Sequence, residues 1–216
     1  MNYTTKKEPV ILSNDERDRL LKIVSKRYAM GIRNRLILNF MVYCGLRVSE
    51  ITNLKPRDIS ITDLEIKIKN GKGGKDRTID IPEALIDLIK QWKDKRPKTS
   101  DYFFCNIRTR KGLDITVRKD GQARTFNSTS KKGDKISVRY IQAMIKRYAL
   151  KAGIDKDITP HTLRHTYATN CVRDNIPLPI IQEWLGHSYL STTQIYTHLA
   201  GKDRKEAIKK VTTGTV

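Results

Sequence analysis

Apolar residues in this 216-residue chain recur at helical spacing in segment after segment, then switch to strict alternation in one short block. Leu64, Ile66 and Ile68 alternate with Glu65, Lys67 and Lys69. The turn-rich Asn70-Gly71-Lys72-Gly73-Gly74 follows, and then Thr78, Asp80 and Pro82 alternate with Arg77, Ile79 and Ile81. Alternation places one set of side chains on one face of a pleated strand, and a glycine-rich turn between two such runs specifies a β-hairpin. The expected fold class is therefore α+β, mainly α-helical, with a small antiparallel β-sheet or hairpin.

The helical segments carry their own start and stop signals. Ser13 and Glu16 form a capping box ahead of Leu20, Leu21 and Val24. Ile32, Leu36, Ile37, Phe40, Met41 and Cys44 repeat at helical spacing, and Gly45 stops that run. A short helix from Val48 to Leu54 ends before Pro56. The helical period returns at Ala84, Leu85, Leu88, Ile89 and Trp92, and again from Ser137 through Val138, Ile141, Ile145, Tyr148 and Ala149. Thr159 and Pro160 read as N-cap and first helical residue. A further helix covers Pro179 to Leu185 and stops at Gly186, and a tail helix begins at Lys202 with Ala207, Ile208 and Val211. Tyr102 to Cys105 is an apolar run of undefined type. No internal repeat or Pro/Ser-rich linker divides the chain, so one mostly helical domain with a small sheet is expected.

Charge narrows the function classes. The chain has 43 Lys+Arg against 23 Asp+Glu, a formal net charge of +20. Such a field concentrates polyanions, so nucleic acid is the first partner to consider. With 38% apolar residues the chain can bury a core, and no apolar run approaches the ~18 residues that span a bilayer. Residues 1–9 contain no apolar signal region, and three widely spaced cysteines do not make a disulfide framework. A cytoplasmic protein without membrane partners is expected. From Arg108 to Lys135 nine Lys/Arg face three Asp. That stretch reads as a mobile loop or a polar hairpin, either touching DNA or simply solvated.

One segment suggests chemistry. In Thr159-Pro-His-Thr-Leu-Arg-His165, His161 and Arg164 lie three apart on one face near a helix N-terminus, where backbone N–H groups already favour an anion. Arg adds a bidentate fork and His a titratable proton. His161 and His165 have zinc-protease spacing, but Thr162 stands where that motif needs Glu. Neither Lys72 nor Lys75 is followed by Ser or Thr, as a Walker A loop requires. The acidic residues near these motifs are isolated, which argues against a two-metal nuclease.

Five segments in order carry a resemblance: Gly45-Leu-Arg-Val-Ser-Glu50, Gly71-Lys-Gly-Gly-Lys-Asp-Arg77, His161-Thr-Leu-Arg-His165, Leu185-Gly-His-Ser188 and Thr193-Gln-Ile-Tyr-Thr-His198. Together they resemble the tyrosine recombinases, the family of phage integrases and Xer-type resolvases, from about Ser13 to about Ala200. The resemblance implies the recombinase catalytic-domain fold and an active site of Arg47, Lys72, His161, Arg164, His187 and Tyr196. In that scheme the arginines hold a DNA phosphate, His161 is the candidate base and His187 a hydrogen-bond donor. Lys72 protonates the leaving 5′ oxygen, with Lys75 the fallback, and Tyr196 is the nucleophile. Metal and cofactors are expected to be absent. Expected DNA contacts are Lys75, Arg77, Arg108, Arg110, Lys111, Arg118, Lys131, Lys132 and Arg139. His165, Tyr167, Trp184 and Leu185 are expected in the core, with Tyr167 the nearest rival nucleophile.

The implied organisation is an N-terminal extension (1–12), a catalytic domain (13–200) with a basic insertion at about 108–135, and a tail helix (201–216). In the family such a tail docks on a neighbouring subunit; packing on its own domain is the alternative. Double-stranded DNA and self-association, tetrameric on paired sites, follow from the same resemblance. Members usually carry an N-terminal domain that clamps the other face of DNA, for which no room is seen before Ser13, so weak affinity and relaxed specificity are expected. A type IB topoisomerase and a non-catalytic DNA-binding relative are the alternative functions.

Overall fold

The computed structural model describes residues 9–69, 76–117 and 123–186. Helix α1 (Asn14–Lys22) starts with the expected box: the Ser13 hydroxyl accepts from the Glu16 N–H at 3.2 Å, and the Glu16 carboxylate accepts from the Ser13 N–H at 2.7 Å. Just upstream, the Leu12 N–H donates to the Thr166 hydroxyl at 2.9 Å, so the entry to α1 is tied to a distant helix. Helix α2 (Ala29–Tyr43) has ten buried residues of fifteen, which makes it the central helix rather than a surface one. Its apolar side chains pack, and buried Arg33 donates to the Cys105 carbonyl at 2.9 Å and to the Tyr140 hydroxyl at 2.7 Å.

Helix α3 (Val48–Asn53) leads through a single 3-10 turn into a three-stranded antiparallel sheet of β1 (Ile59–Ser60), β2 (Glu65–Ile68) and β3 (Arg77–Asp80), in that order. Ile66 faces Ile79 and Ile68 faces Arg77 across the β2–β3 pair, and the three isoleucines are buried as alternation required. Two details differ from the sequence reading. β1 is only two residues long and too short to show a period, and Leu64 lies not in a strand but in the β1–β2 turn, with φ of +56°.

Helix α4 (Ile86–Lys95) buries Trp92, whose indole N–H donates to the Phe103 carbonyl at 2.9 Å. Phe103 and Phe104 are fully buried in an irregular segment, which is why no period marks them. The basic stretch contains a hairpin, β4 (Arg110–Val117) paired antiparallel with β5 (Ala123–Ser130), in register from Arg110 opposite Ser130 to Val117 opposite Ala123. It pairs with neither edge of the three-stranded sheet. Helix α5 (Val138–Lys151) is capped by Ser137, and helix α6 (Pro160–Arg173) by Thr159 with Pro160 at its first position. Helix α7 (Leu178–Leu185) ends on Gly186 in the left-handed conformation. No described helix is long and apolar enough to cross a membrane. The three cysteines are free and buried, and burial pushes the Cys44 thiol up to about 12.

The main core spans α1 to α6. A smaller cluster of Tyr167, Ala168, Cys171, Ile181 and Leu185 joins α6 to α7. Gly45 lies where the two meet. It ends α2 at φ of +61°, and the Leu46 N–H reaches back to the Phe40 carbonyl at 3.3 Å. A Cβ there would lie 2.4 Å from the buried Tyr167 ring. Gly45→Ala should therefore cost at least about 1–2 kcal/mol from the left-handed backbone alone, with the ring overlap added. A urea midpoint equal to the wild type would contradict this account of the turn.

Candidate functional site at the end of helix α7

Arg47 is the N-cap of α3, two residues beyond the Gly45 turn. Its own backbone N–H and its Nη1 both donate to Glu50, at 2.8 and 2.9 Å, and its Nη2 donates to the Gly186 carbonyl at 2.9 Å. Among the described residues these bonds occupy two of the five guanidinium N–H groups, and the side chain stays 21% exposed. The remaining donors suit an incoming anion.

Arg164 reaches the same place from α6. It is 6% exposed and donates from one terminal nitrogen to the Gly45 carbonyl and from the other to the Leu185 carbonyl. His161 lies one turn earlier in the first turn of α6 and is exposed. The i,i+3 spacing sets it on the Arg164 face of the first turns of α6.

A third arginine completes the cluster. Arg77, at the start of β3, forks onto Glu50 with bonds of 2.9 and 2.8 Å, and its Nε donates to the Trp184 carbonyl at 2.9 Å. The carbonyls of Trp184, Leu185 and Gly186 are thus each taken by a different arginine. A helix C-terminus leaves such carbonyls without intrahelical partners and carries partial negative charge, so it attracts cations. Three guanidinium groups against one carboxylate leave the cluster positive by two charges, in keeping with an anion site.

Glu50 is the residue whose role the sequence reading missed. Its signal was its place three residues after an N-cap, but Arg is not a usual capping residue, so the box went unread. Burial of the carboxyl pushes its pKa up. The hydrogen bonds and charge of Arg77, with the backbone and side chain of Arg47, outweigh this and hold it below the ordinary glutamate range. Arg77 itself corrects an expectation. Read as a DNA contact, it has a side chain only 6% exposed and turned onto Glu50 and Trp184, because the buried carboxylate needs a counter-charge.

The other expected residues fall in several places. Lys72, Lys75, Arg118, His187 and Tyr196 lie outside the described residues, as does the tail helix. Arg108, Lys131, Lys132 and Arg139 are exposed, and Arg110 and Lys111 are on β4. Leu185 is fully buried, and Trp184 packs half-buried on the smaller cluster. His165 is half-buried, and burial, then the charges of His161 and Arg164, lower its pKa. Tyr167 is buried, and burial, with Cys171 and Cys44 beside it, raises its phenol pKa well above the usual range. That makes it a poor rival nucleophile.

Fold and site together define a mainly helical α+β domain with an arginine cluster at one helix end. A model of the phage integrase family matches residues 11–203, and the chain belongs to that family. The tyrosine recombinase XerA of Pyrococcus furiosus is 38% identical over 202 residues, covering 94% of this chain and 62% of that protein. The tyrosine recombinase XerD of Ralstonia nicotianae is 33% identical over 193 residues, covering 89% and 56%. The chain spans about three fifths of the length of the curated relatives it matches. A crystal structure of XerA recombinase superposes with a TM-score of 0.74 at 31% identity, over 97% of this chain and 66% of that one. XerH recombinase bound to a palindromic difH substrate gives a TM-score of 0.73 at 28% identity, over 96% and 55%. The fold is that of a tyrosine recombinase catalytic domain.

A carboxylate whose pKa is depressed on folding stabilises the protein above its unfolded value, near about 4.3, and loses that contribution as the pH falls through the folded value. Glu50→Gln should therefore be less stable than the wild type near neutral pH. The gap should narrow as urea melts are repeated down to about pH 3. A gap that stays constant with pH would contradict the ion-pair account.

Proposed function

We propose that this chain cleaves and rejoins DNA strands as a site-specific tyrosine recombinase, through a 3′-phosphotyrosine intermediate on Tyr196. The observation that carries this reading is the meeting of Arg47 and Arg164 on successive carbonyls at the end of α7. Two forks aimed from different elements suit the nonbridging oxygens of one phosphodiester, whose charge rises in the in-line transition state. His187 and Tyr196 follow the same helix end in sequence, one and ten residues after Gly186.

His161, as base, takes the Tyr196 phenol proton, and the phenolate oxygen attacks phosphorus. The bond to the 5′ oxygen breaks, and Lys72 gives that oxygen a proton. His187 hydrogen-bonds the phosphate. A 5′-hydroxyl of a second strand then attacks the phosphotyrosine, its proton passing to Lys72, and Tyr196 leaves with the proton held by His161. The ester conserves the bond energy, so the exchange needs no nucleotide, and neither a metal nor another cofactor takes part.

Double-stranded DNA is the proposed substrate. The net charge of +20 favours it, and the chain resembles XerH, a site-specific recombinase bound to a palindromic difH substrate. A palindrome matches two-fold protein symmetry, so we take the working assembly to be a tetramer on paired sites. Residues 201–216 would serve as the exchanged tail, in a DNA-associated cytoplasmic protein. The β4–β5 hairpin is a proposed arm for Arg108, Arg110, Lys111, Arg118, Lys131 and Lys132. At its foot Lys135 bonds to Asn53, the last residue of α3, so the arm is rooted roughly 9 Å of helix from Arg47. Lys75 and Arg139 complete the proposed contacts.

A nicked suicide substrate should trap a covalent protein–DNA adduct, with the DNA on the peptide containing Tyr196. Tyr196→Phe should abolish the adduct and leave DNA binding nearly unchanged, since only the nucleophilic oxygen is removed. An adduct that persists in this variant would move the nucleophile elsewhere. Lys72→Ala should recover cleavage on a substrate with sulfur at the 5′ bridging position, because a thiolate leaves without a proton. Selective recovery in Lys75→Ala instead would transfer the acid role to Lys75.

A further inference from the structure

The Arg77 side chain is buried, and its bonds go to Glu50, which also holds Arg47, and to the helix end whose last carbonyl holds Arg47. Its fork grips Glu50, and Glu50 grips the Arg47 backbone N–H and Nη1. Its Nε holds the Trp184 carbonyl, and two residues on the Gly186 carbonyl holds the Arg47 Nη2. The guanidinium also fills the space under the Gly186 turn, where a Cβ would lie 3.1 Å from Arg77 Nη1. Arg47 is therefore clamped from two sides, and Arg77 braces both sides.

We propose that Arg77 is a positioning residue for phosphate transfer, fixing the direction of the Arg47 fork without touching DNA. The inference rests on the proposed recombinase activity. Its physical content is a competition for Glu50. With Arg77 present, the carboxylate is shared and Arg47 keeps donors for the phosphate. Without Arg77, a buried carboxylate is left with one cation, and the stable arrangement for such a pair is a bidentate fork. Arg47 would then turn onto Glu50 and away from the phosphate. Arg77 also opens β3, five residues after Lys72, so it ties the strand that follows the proposed acid to the anchor of the phosphate clamp.

The test compares single-turnover cleavage of a nicked substrate at saturating DNA with the DNA dissociation constant and its salt dependence. Arg77→Met should slow cleavage by about 10²-fold, the scale expected when a reacting group is misplaced by about 1 Å. Its DNA affinity should stay within about threefold of the wild type, with an unchanged salt slope. Arg77→Lys should recover part of the rate, since an ammonium reaches Glu50 but cannot fork and hold Trp184 as well. Should Arg77→Met fail to fold, Arg77→Lys, which keeps a counter-charge beside Glu50, carries the test and should still cleave more slowly than the wild type with near-normal binding. Where both single variants fold, the cleavage defects of Glu50→Gln and Arg77→Met should combine less than multiplicatively in the double variant, since both act through Arg47.

Wild-type cleavage by folded Arg77→Met or Arg77→Lys would overturn the proposal. So would a loss of affinity with a shallower salt slope, which would make Arg77 a phosphate contact. A wild-type protein that forms no adduct through Tyr196 fails earlier, at the activity itself, and overturns the reading on which this inference stands.

Discussion

The last three carbonyls at the end of α7 belong to Trp184, Leu185 and Gly186, and each accepts from an arginine of a different element: β3, α6 and the N-cap of α3. An α-helix cannot satisfy these groups itself, and leaving them buried without partners would cost about 1–3 kcal/mol each. Meeting that demand with guanidinium groups rather than water brings three cations to one spot. The same bonds that finish the helix thereby gather the cations of the proposed phosphate site.

Such a concentration of charge needs a counterweight inside the protein. Glu50 supplies it, sharing its two oxygens between Arg47 and Arg77. Breaking a buried pair by removing one partner costs about 3–5 kcal/mol, so this carboxylate constrains the site as strongly as the arginines do. One carboxylate among three arginines leaves excess positive charge. The backbone turns that allow the approach are at Gly45 and Gly186, both left-handed, and a side chain at either would meet the Tyr167 ring or the Arg77 guanidinium.

The two sheets serve the site differently. The three-stranded sheet is small and half-buried, and its last strand delivers Arg77 to the centre. Among the described residues the β4–β5 hairpin pairs with no other strand, and its region carries a basic excess. An isolated two-stranded hairpin has marginal stability of its own. Its anchorage is at the foot, where Cys105 bridges Lys135 and the Ser100 hydroxyl donates to the Gly133 carbonyl at 2.6 Å.

Much of this was legible in the residues. Helix limits at Ser13, Gly45, Thr159 and Gly186 could be read because caps and left-handed glycines act within a few residues of themselves. The β2–β3 hairpin could be read because alternation is local. Arg47, Arg164 and His161 could be picked out through motif resemblance, and family membership bears that resemblance out. What the chain did not disclose was which charges would face inward. Arg77 and the exposed Arg108 look alike in sequence, but the Arg77 side chain becomes buried because α3 and the end of α7 bring Glu50 and a bare carbonyl to it from 27 and 107 residues away. Glu50 was invisible for the same reason, its partner on β3 being set only once the sheet folds back on α3. Local signals determine where elements begin and end, whereas the pairing of distant charges is decided by tertiary packing, which alone sets the desolvation that makes a charge require a partner.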